Sequence, residues 1–303
     1  MNYKSELQNN NTDLASILET INALPEAGGD ASIEDAFVTR TITEYTNDRV
    51  NAIGNYAFTS CTSLTTVSFP VATFIGSYAF TSCTSLTTAS FPVATSIASY
   101  AFANCSSLTT VSFPVATFIG GSAFTRCYSL ATVSFPAATF IGNYAFSSCF
   151  RLTTASFPVA TSIGNYAFSS CSSLTTVSFP VATSIGDYAF ANCSRLTTAS
   201  FPVATSIGSY AFSNCSSLTT VSFPVATFIG GSAFTRCYNL ISLYLTGSSL
   251  CALSASAAFT STPIGGYSTS AGRYGSIFVP ASLLASYKAA TNWAYFSSRF
   301  VGI

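Results

Sequence analysis

From Ile53 onward the chain repeats itself every 22 residues, nine times in succession, with no insertion or deletion. The blocks begin at Ile53, Ile75, Ile97, Ile119, Ile141, Ile163, Ile185, Ile207 and Ile229. A period that constant means each block makes one turn of the same cross-section. Such a chain grows by stacking and not by enlarging one core. Its 303 residues would otherwise suggest two or three globular domains. The repetition overrides that estimate and predicts a single solenoid.

The first block reads Ile53-Gly54-Asn55-Tyr56-Ala57-Phe58-Thr59-Ser60-Cys61-Thr62-Ser63-Leu64-Thr65-Thr66-Val67-Ser68-Phe69-Pro70-Val71-Ala72-Thr73-Phe74. Leu64-Thr65-Thr66-Val67-Ser68-Phe69 has the form of a strand with Leu64, Val67 and Phe69 inward and Thr66 and Ser68 outward. Pro70 cannot donate a ladder hydrogen bond, so it suits the corner where the chain leaves the sheet. On the return leg Ile53, Ala57, Phe58 and Cys61 fall at offsets of four, five and eight, which resemble one face of a short helical turn. Gly54 marks the bend into it. Ala98 replaces that glycine in the third block, so the bend should not demand a positive φ. One coil cannot exclude water from Leu64, Phe69, Phe58 and Ile53; its neighbours must. At roughly 1.5–3 kcal/mol per large side chain fully buried, stacking is the dominant stabilising term.

The ends differ from the middle. Residues 31–52 read as a degenerate capping coil, in which Ala36-Phe37 echoes Ala57-Phe58 and Thr41 to Tyr45 alternates like an edge strand. Residues 1–30 hold a short helix and linker: Leu14, Ile17, Leu18, Ile21 and Leu24 share one face, and Pro25 stops the run. That face can dock on the first coil, or join copies of the chain, because 14, 17, 21 and 24 follow heptad spacing. Nine repeats occupy 53–250, and a carboxyl-terminal cap occupies 251–303. In the cap, Gly275 to Pro280 predicts a strand. Ser282 is placed to cap a helix running through Lys288, with Trp293, Tyr295, Phe296 and Phe300 closing the core.

Charge excludes several function classes. Charged residues are only 7% of the chain and the formal balance is zero. Residues 1–52 carry nine acids against three bases, whereas the repeats carry four arginines and Asp187. No basic run exists, so nucleic acid is not an expected partner. No stretch reaches the apolar length of a membrane span. The opening Met1-Asn2-Tyr3-Lys4-Ser5-Glu6 leads into polar residues without the apolar core of a secretory signal.

Nine cysteines fall one per coil, from Cys61 to Cys237, and Cys251 is extra. Equivalent positions in stacked coils point in parallel, so the geometry of a disulfide is not expected. A reduced ladder of small apolar side chains fits better. Histidine is absent, which removes the usual base for a cysteine nucleophile and the usual partner for zinc. The chain is read as non-catalytic, with no cofactor and no metal. Asn104-Cys105-Ser106, Asn192-Cys193-Ser194 and Asn214-Cys215-Ser216 have the form of glycosylation acceptors. Backbone capping by the short polar side chains is the simpler reading.

Two surfaces stand out as candidate binding sites. The strand face offers Thr65, Thr66 and Ser68, then Thr87, Thr88 and Ser90, then Thr109, Thr110 and Ser112, a lattice of hydroxyls and methyls. It suits carbohydrate, a protein groove or another copy of the chain; Thr is also simply a good strand residue. Elsewhere, Tyr occupies the fourth position of most coils, but Ser122 and Ser232 replace it in two. Those coils gain Arg126 with Tyr128, and Arg236 with Tyr238. The gained tyrosine is expected to lean into the vacated notch, beside the arginine. Residues 108–130 and 218–240 differ only at Ser129 against Asn239, so the two spots are copies of one event.

The pattern Ile-Gly-x-Tyr-Ala-Phe-x-x-Cys-x-x-Leu, repeated as Ile75-Gly76-Ser77-Tyr78-Ala79-Phe80 with Cys83 and Leu86, resembles the BspA-like, or treponemal-type, leucine-rich repeats over about residues 31–260. That resemblance implies a curved right-handed solenoid. A parallel β-sheet would lie on one face, short helical turns on the other, and a cap at each end. Ile277-Phe278-Val279-Pro280 through Tyr287-Lys288 and Asn292-Trp293 also looks like the closing segment of such proteins from gut bacteria and their phages. The resemblance implies a surface protein that adheres to host or microbial proteins or glycans. It carries over scaffold positions only, among them Leu64, Phe69, Ile75, Ala79, Phe80 and Cys83. A cell-surface or extracellular location is what it implies; a virion-associated or cytoplasmic one stays open, as does a structural-spacer role.

Overall fold

A computed structural model describes residues 43–266 and 272–303; the expected amino-terminal helix, and Ala36-Phe37 of the first coil, lie outside the described residues. The rest is a curved parallel-β solenoid. Each coil contributes a three-residue strand equivalent to Thr66–Ser68, preceded by Glu44–Thr46 before the first repeat. Each also contributes a two-residue strand, from Ala52–Ile53 to Ala252–Leu253, which builds a second parallel sheet of ten strands. All pairings through the repeats join equivalent residues 22 apart, such as Val67 to Ala89 and Ile75 to Ile97.

The second sheet is a feature the periodicity does not reveal, because two residues are too few to alternate. Between it and the next long strand the return leg makes consecutive one-turn bends. Ala57 N donates to Gly54 O, Thr59 N to Tyr56 O, and Cys61 N to Phe58 O. They cannot extend into a helix, because Tyr56 and Ser60 sit at φ 62° and 60°, the left-handed region that ends a right-handed run. The same two positions are left-handed in every repeat. Their N–H groups are turned to the next coil: Tyr56 N donates to Ser77 O and Ser60 N to Thr81 O.

The core is two columns of phenylalanine. Phe58 and Phe80 stack at 4.9 Å and 4°, and Phe69 and Phe91 at 5.5 Å and 6°. The columns meet edge to face, as Phe58 and Phe69 do at 65°, so each ring receives both favoured aromatic geometries. Leu64, Val67, Ile53, Ala57 and Cys61 are fully or almost fully buried around them. The glycine at the second position is needed for spacing. A Cβ on Gly76 would lie 2.6 Å from the carbonyl carbon of Gly54; Ala98 shows the column can accommodate one methyl.

The long-strand sheet is divided. Four strands end at Thr110–Ser112, and eight begin at Thr132–Ser134. The break coincides with two departures from the repeat. Ala131 stands where Thr65, Thr87 and Thr109 each donate a hydroxyl to the preceding coil. Val111 and Val133 also follow each other where valine otherwise faces alanine in this half of the stack.

At the carboxyl end Ser276–Val279 continues the sheet, and Phe300–Gly302 adds a last parallel strand. Trp293, Phe296 and Phe300 are buried, but Tyr295 is 74% exposed and closes nothing. Ser282 does not cap the helix. It lies inside the turn Ala281–Leu283, and the helix Leu284–Ala289 begins without a side-chain cap. The cap is held from within: Trp293 Nε1 donates to Cys251 O at 2.6 Å, and Cys251 N donates to Tyr287 Oη.

Candidate binding surfaces

Side chains that repeat along the stack divide into those that bond to the next coil and those that do not. Hydroxyls of Thr87 and Thr109 donate to carbonyls of the preceding coil, and so do those of Thr95, Thr117 and Thr139. Asn143 and Asn165 accept the backbone N–H of the next coil, and Asp187 does the same for Ser209 at 2.7 Å. Asp187, alone among the acids on the repeats, is therefore a rung of a structural ladder.

From Cys83 to Cys237 each ladder cysteine donates its S–H to a phenylalanine carbonyl of the preceding coil, as Cys149 Sγ does to Phe124 O at 3.2 Å. All ten cysteines are buried as reduced thiols outside any disulfide. Burial pushes the thiols of Cys149, Cys193 and Cys237 up to about 12. These sulfurs are neutral donors in the core and have no nucleophilic character at ordinary pH. No group of three His, Cys, Asp or Glu side chains among the described residues is placed to hold a metal ion. No helix among them is long and apolar enough to cross a membrane.

The strand-face candidates belong to the second class. Thr66, Thr88 and Thr110 stand in register, as do Ser68, Ser90 and Ser112. Among the described residues their hydroxyls make no hydrogen bond with the protein. Thr65, Thr87 and Thr109, one residue earlier, are committed to the stack and are not available in the same way. Sequence reasoning could not separate these two threonine rows, since only the direction of the hydroxyl distinguishes them.

On the return leg the tyrosines stack into two columns. Tyr56, Tyr78 and Tyr100 form one, at 4.9 and 4.7 Å; Tyr144, Tyr166, Tyr188 and Tyr210 form the other, at 4.5 to 4.6 Å. Burial between rings, with the neighbouring phenols of Tyr188 and Tyr144, pushes the hydroxyl of Tyr166 up. Ser122 separates the columns and Ser232 ends the second. Around Ser232 is a groove of about 420 Å³ lined by Tyr188, Tyr210, Asn192, Asn214, Ser213, Thr235, Arg236 and Thr260.

Arg236 lines this groove, and Tyr238 is not among its lining residues. In the equivalent coil Tyr128 lies flat on Phe150 at 5.2 Å and 2°. The gained tyrosine thus has a ring partner in the coil that follows. Arg126 and Arg236 themselves are at φ 59°, where other coils carry Ser or Asn. Asn104, Asn192 and Asn214 share that left-handed position. Their value there is tolerance of positive φ, and their amides make no capping hydrogen bond among the described residues.

A third surface escaped the sequence reading. Val71, Val93, Val115, Val159, Val181, Val203 and Val225 are each about two-fifths exposed, beside exposed Phe74, Phe118, Phe140 and Phe228. Val71 stands in the turn after Pro70, and Phe74 precedes the inward Ile75 in the short strand.

The profile of the BspA-type leucine-rich repeat region matches residues 34–153 and 139–263. Among curated proteins none matches. Among solved structures, a leucine-rich cell surface protein of Faecalibacterium prausnitzii is 24% identical over 86% of this chain and 83% of its own, with a TM-score of 0.43. The leucine-rich repeat protein of T. pallidum is 29% identical over 51% of this chain and 78% of its own, TM-score 0.44. One from Bacteroides ovatus is 21% identical over 84% and 88%, TM-score 0.36. With the profile spanning most of the repeats and the Phe, Cys and Leu ladders where the motif requires them, the chain belongs to the BspA-type leucine-rich repeat family.

Proposed function

We propose that this protein is a non-catalytic adhesion module that recognises a protein or glycan on a surface. The observation that carries this reading is the division of labour among its hydroxyls. One threonine row is consumed by the stack, while Thr66, Ser68, Thr88, Ser90, Thr110 and Ser112 face outward in register with hydroxyls left unbonded by the protein. A rigid lattice of that kind presents many weak polar contacts whose ordering cost is already met by folding. The notch residues Arg126 and Arg236, with Tyr128 and Tyr238, form a second candidate surface. A protein and glycan binding array, repeated with Thr110→Ala and Tyr128→Ala, separates the faces. Loss with Thr110→Ala alone assigns the strand face, and loss with Tyr128→Ala alone assigns the return leg. Binding unchanged in both overturns the residue assignment. Self-association through the amino-terminal residues is a separate proposal, tested by molecular size under reducing conditions.

A further inference from the structure

The tyrosine column is interrupted by one ring. Tyr100 closes the first column and Tyr144 opens the second, with Ser122 between them. The four rings at column ends, Tyr56, Tyr100, Tyr144 and Tyr210, are 54, 39, 43 and 37% exposed, and the three interior rings less so. Two coil steps of about 4.8 Å put Tyr100 and Tyr144 on the order of 9–10 Å apart. That is twice the 4.5 to 4.9 Å at which the column's own rings stack. The gap therefore has the thickness of the ring it lacks. Its floor is Ser122, which is itself buried.

The neighbouring residue enlarges the opening. Position three carries Asn, Ser or Asp in seven coils but Gly121 and Gly231 in the two that lack tyrosine. Neither glycine has a positive φ. A Cβ on Gly231 would meet nothing within 4 Å, and one on Gly121 would be in ordinary contact at 3.4 Å. The backbone does not require glycine there; what it supplies is an absent side chain. The same two coils place arginine at the left-handed eighth position, and Arg236 lines the open groove at its notch. The coil of Ser122 has the same residues in the same order.

We propose that the slot between Tyr100 and Tyr144 binds a flat aromatic ring that carries or adjoins a carboxylate. The ring would stack on tyrosine faces on both sides, and the carboxylate would meet the Arg126 guanidinium at the rim. Two sources share this chemistry: a free aromatic acid, and an aromatic side chain next to Asp or Glu in a partner protein. The Ser232 notch has one tyrosine wall, Tyr210, and is a half-site of the same kind. This goes beyond the adhesion reading and does not depend on the strand face.

The test uses the full chain and ligand-observed NMR or calorimetry. The probes are indole-3-acetate, cyclohexaneacetate, methyl glucuronide, and the peptides Gly-Trp-Glu-Gly and Gly-Trp-Lys-Gly. Indole-3-acetate is expected to bind with Kd on the order of 1 mM, as suits so small a ligand, and at least tenfold better than cyclohexaneacetate. Ser122→Tyr, which fills the slot with the repeat's own residue, should weaken it at least tenfold while leaving the circular dichroism unchanged. Tyr144→Ala should weaken it similarly, and Arg126→Asn about fivefold. Preference for the glutamate peptide over the lysine peptide, with tighter binding than the free acid, assigns the source to a protein; the reverse ranking assigns a free acid. Indole-3-acetate binding that survives Ser122→Tyr, equal binding of the cyclohexyl acid, or binding of the glucuronide alone overturns the proposal. The Thr110→Ala array result is independent of all these outcomes, so the two readings fail separately.

Discussion

At the scale of single residues, the repeat holds side chains in backbone conformations that their own chemistry does not favour. Arg126 lies at φ 59°, a region costing about 1–2 kcal/mol for a residue with a Cβ and less for Asn. Arg126→Asn, matching Asn104 and Asn214, should stabilise the chain by about 0.5–1 kcal/mol, read from the midpoint of urea unfolding. The cysteines make the opposite bargain. Burial holds the folded thiols of Cys149, Cys193 and Cys237 above the ordinary value of 9.0, up to about 12. The folded chain keeps protons that the unfolded chain releases, so their contribution is complete below about pH 9 and is lost as pH rises towards 12. Each thiol then withdraws up to about 1.4 kcal/mol per pH unit. Thermal midpoints should be flat from pH 6 to 8 and fall steeply above 9, and Cys149→Ala should make that fall shallower. A flat profile to pH 11 would count against neutral buried thiols.

At the scale of elements, the weak seam is the step between Thr110–Ser112 and Thr132–Ser134, where the long-strand sheet divides. Ala131 lacks the hydroxyl that ties equivalent threonines to the coil before, at 2.7 to 3.0 Å for Thr65, Thr87 and Thr109. Ala131→Thr should add about 0.5–1.5 kcal/mol, the net worth of one hydrogen bond. Amide exchange near Thr132 should slow in the same variant. Glycines at the second position act at this scale too. A Cβ on Gly142 would lie 2.6 Å from the carbonyl carbon of Gly120, so Gly142→Ala should destabilise by about 1–3 kcal/mol, as overpacking does. A stabilised Gly142→Ala variant would show that the coil spacing is set elsewhere.

At the scale of the whole molecule, stability is a sum over coil-to-coil interfaces. Phe146 is fully buried between Phe124 and Phe168 at 5.2 and 5.3 Å. Phe146→Ser removes a ring from both interfaces and leaves a polar group in the core. It should cost about 4 kcal/mol or more, whereas Thr154→Ser on the exposed face should change stability by less than about 0.5 kcal/mol. Guanidinium titrations of the two variants make the comparison. The exposed valine column beside Phe118 and Phe140 is the other consequence of stacking, since a residue turned outward in one coil is turned outward in nearly all.

Periodicity alone determined the solenoid, its inward Leu64, Val67, Phe69, Phe58 and Ile53, the reduced cysteine ladder and the outward Thr66 and Ser68. A residue buried by its neighbours in one coil must be buried by the same neighbours in the next, and that condition is written in the 22-residue spacing. Tertiary structure decided what depends on direction within a position: which threonine hydroxyl the stack consumes, that Asp187 is a backbone acceptor, and that Tyr128 stacks on Phe150. It also decided the cap, where Tyr295 turns outward and Ser282 caps nothing, because beyond the last repeat no neighbouring copy constrains the chain. Spacing reports which residues lie over one another; only the folded backbone, with its two left-handed residues per coil, aims their side chains.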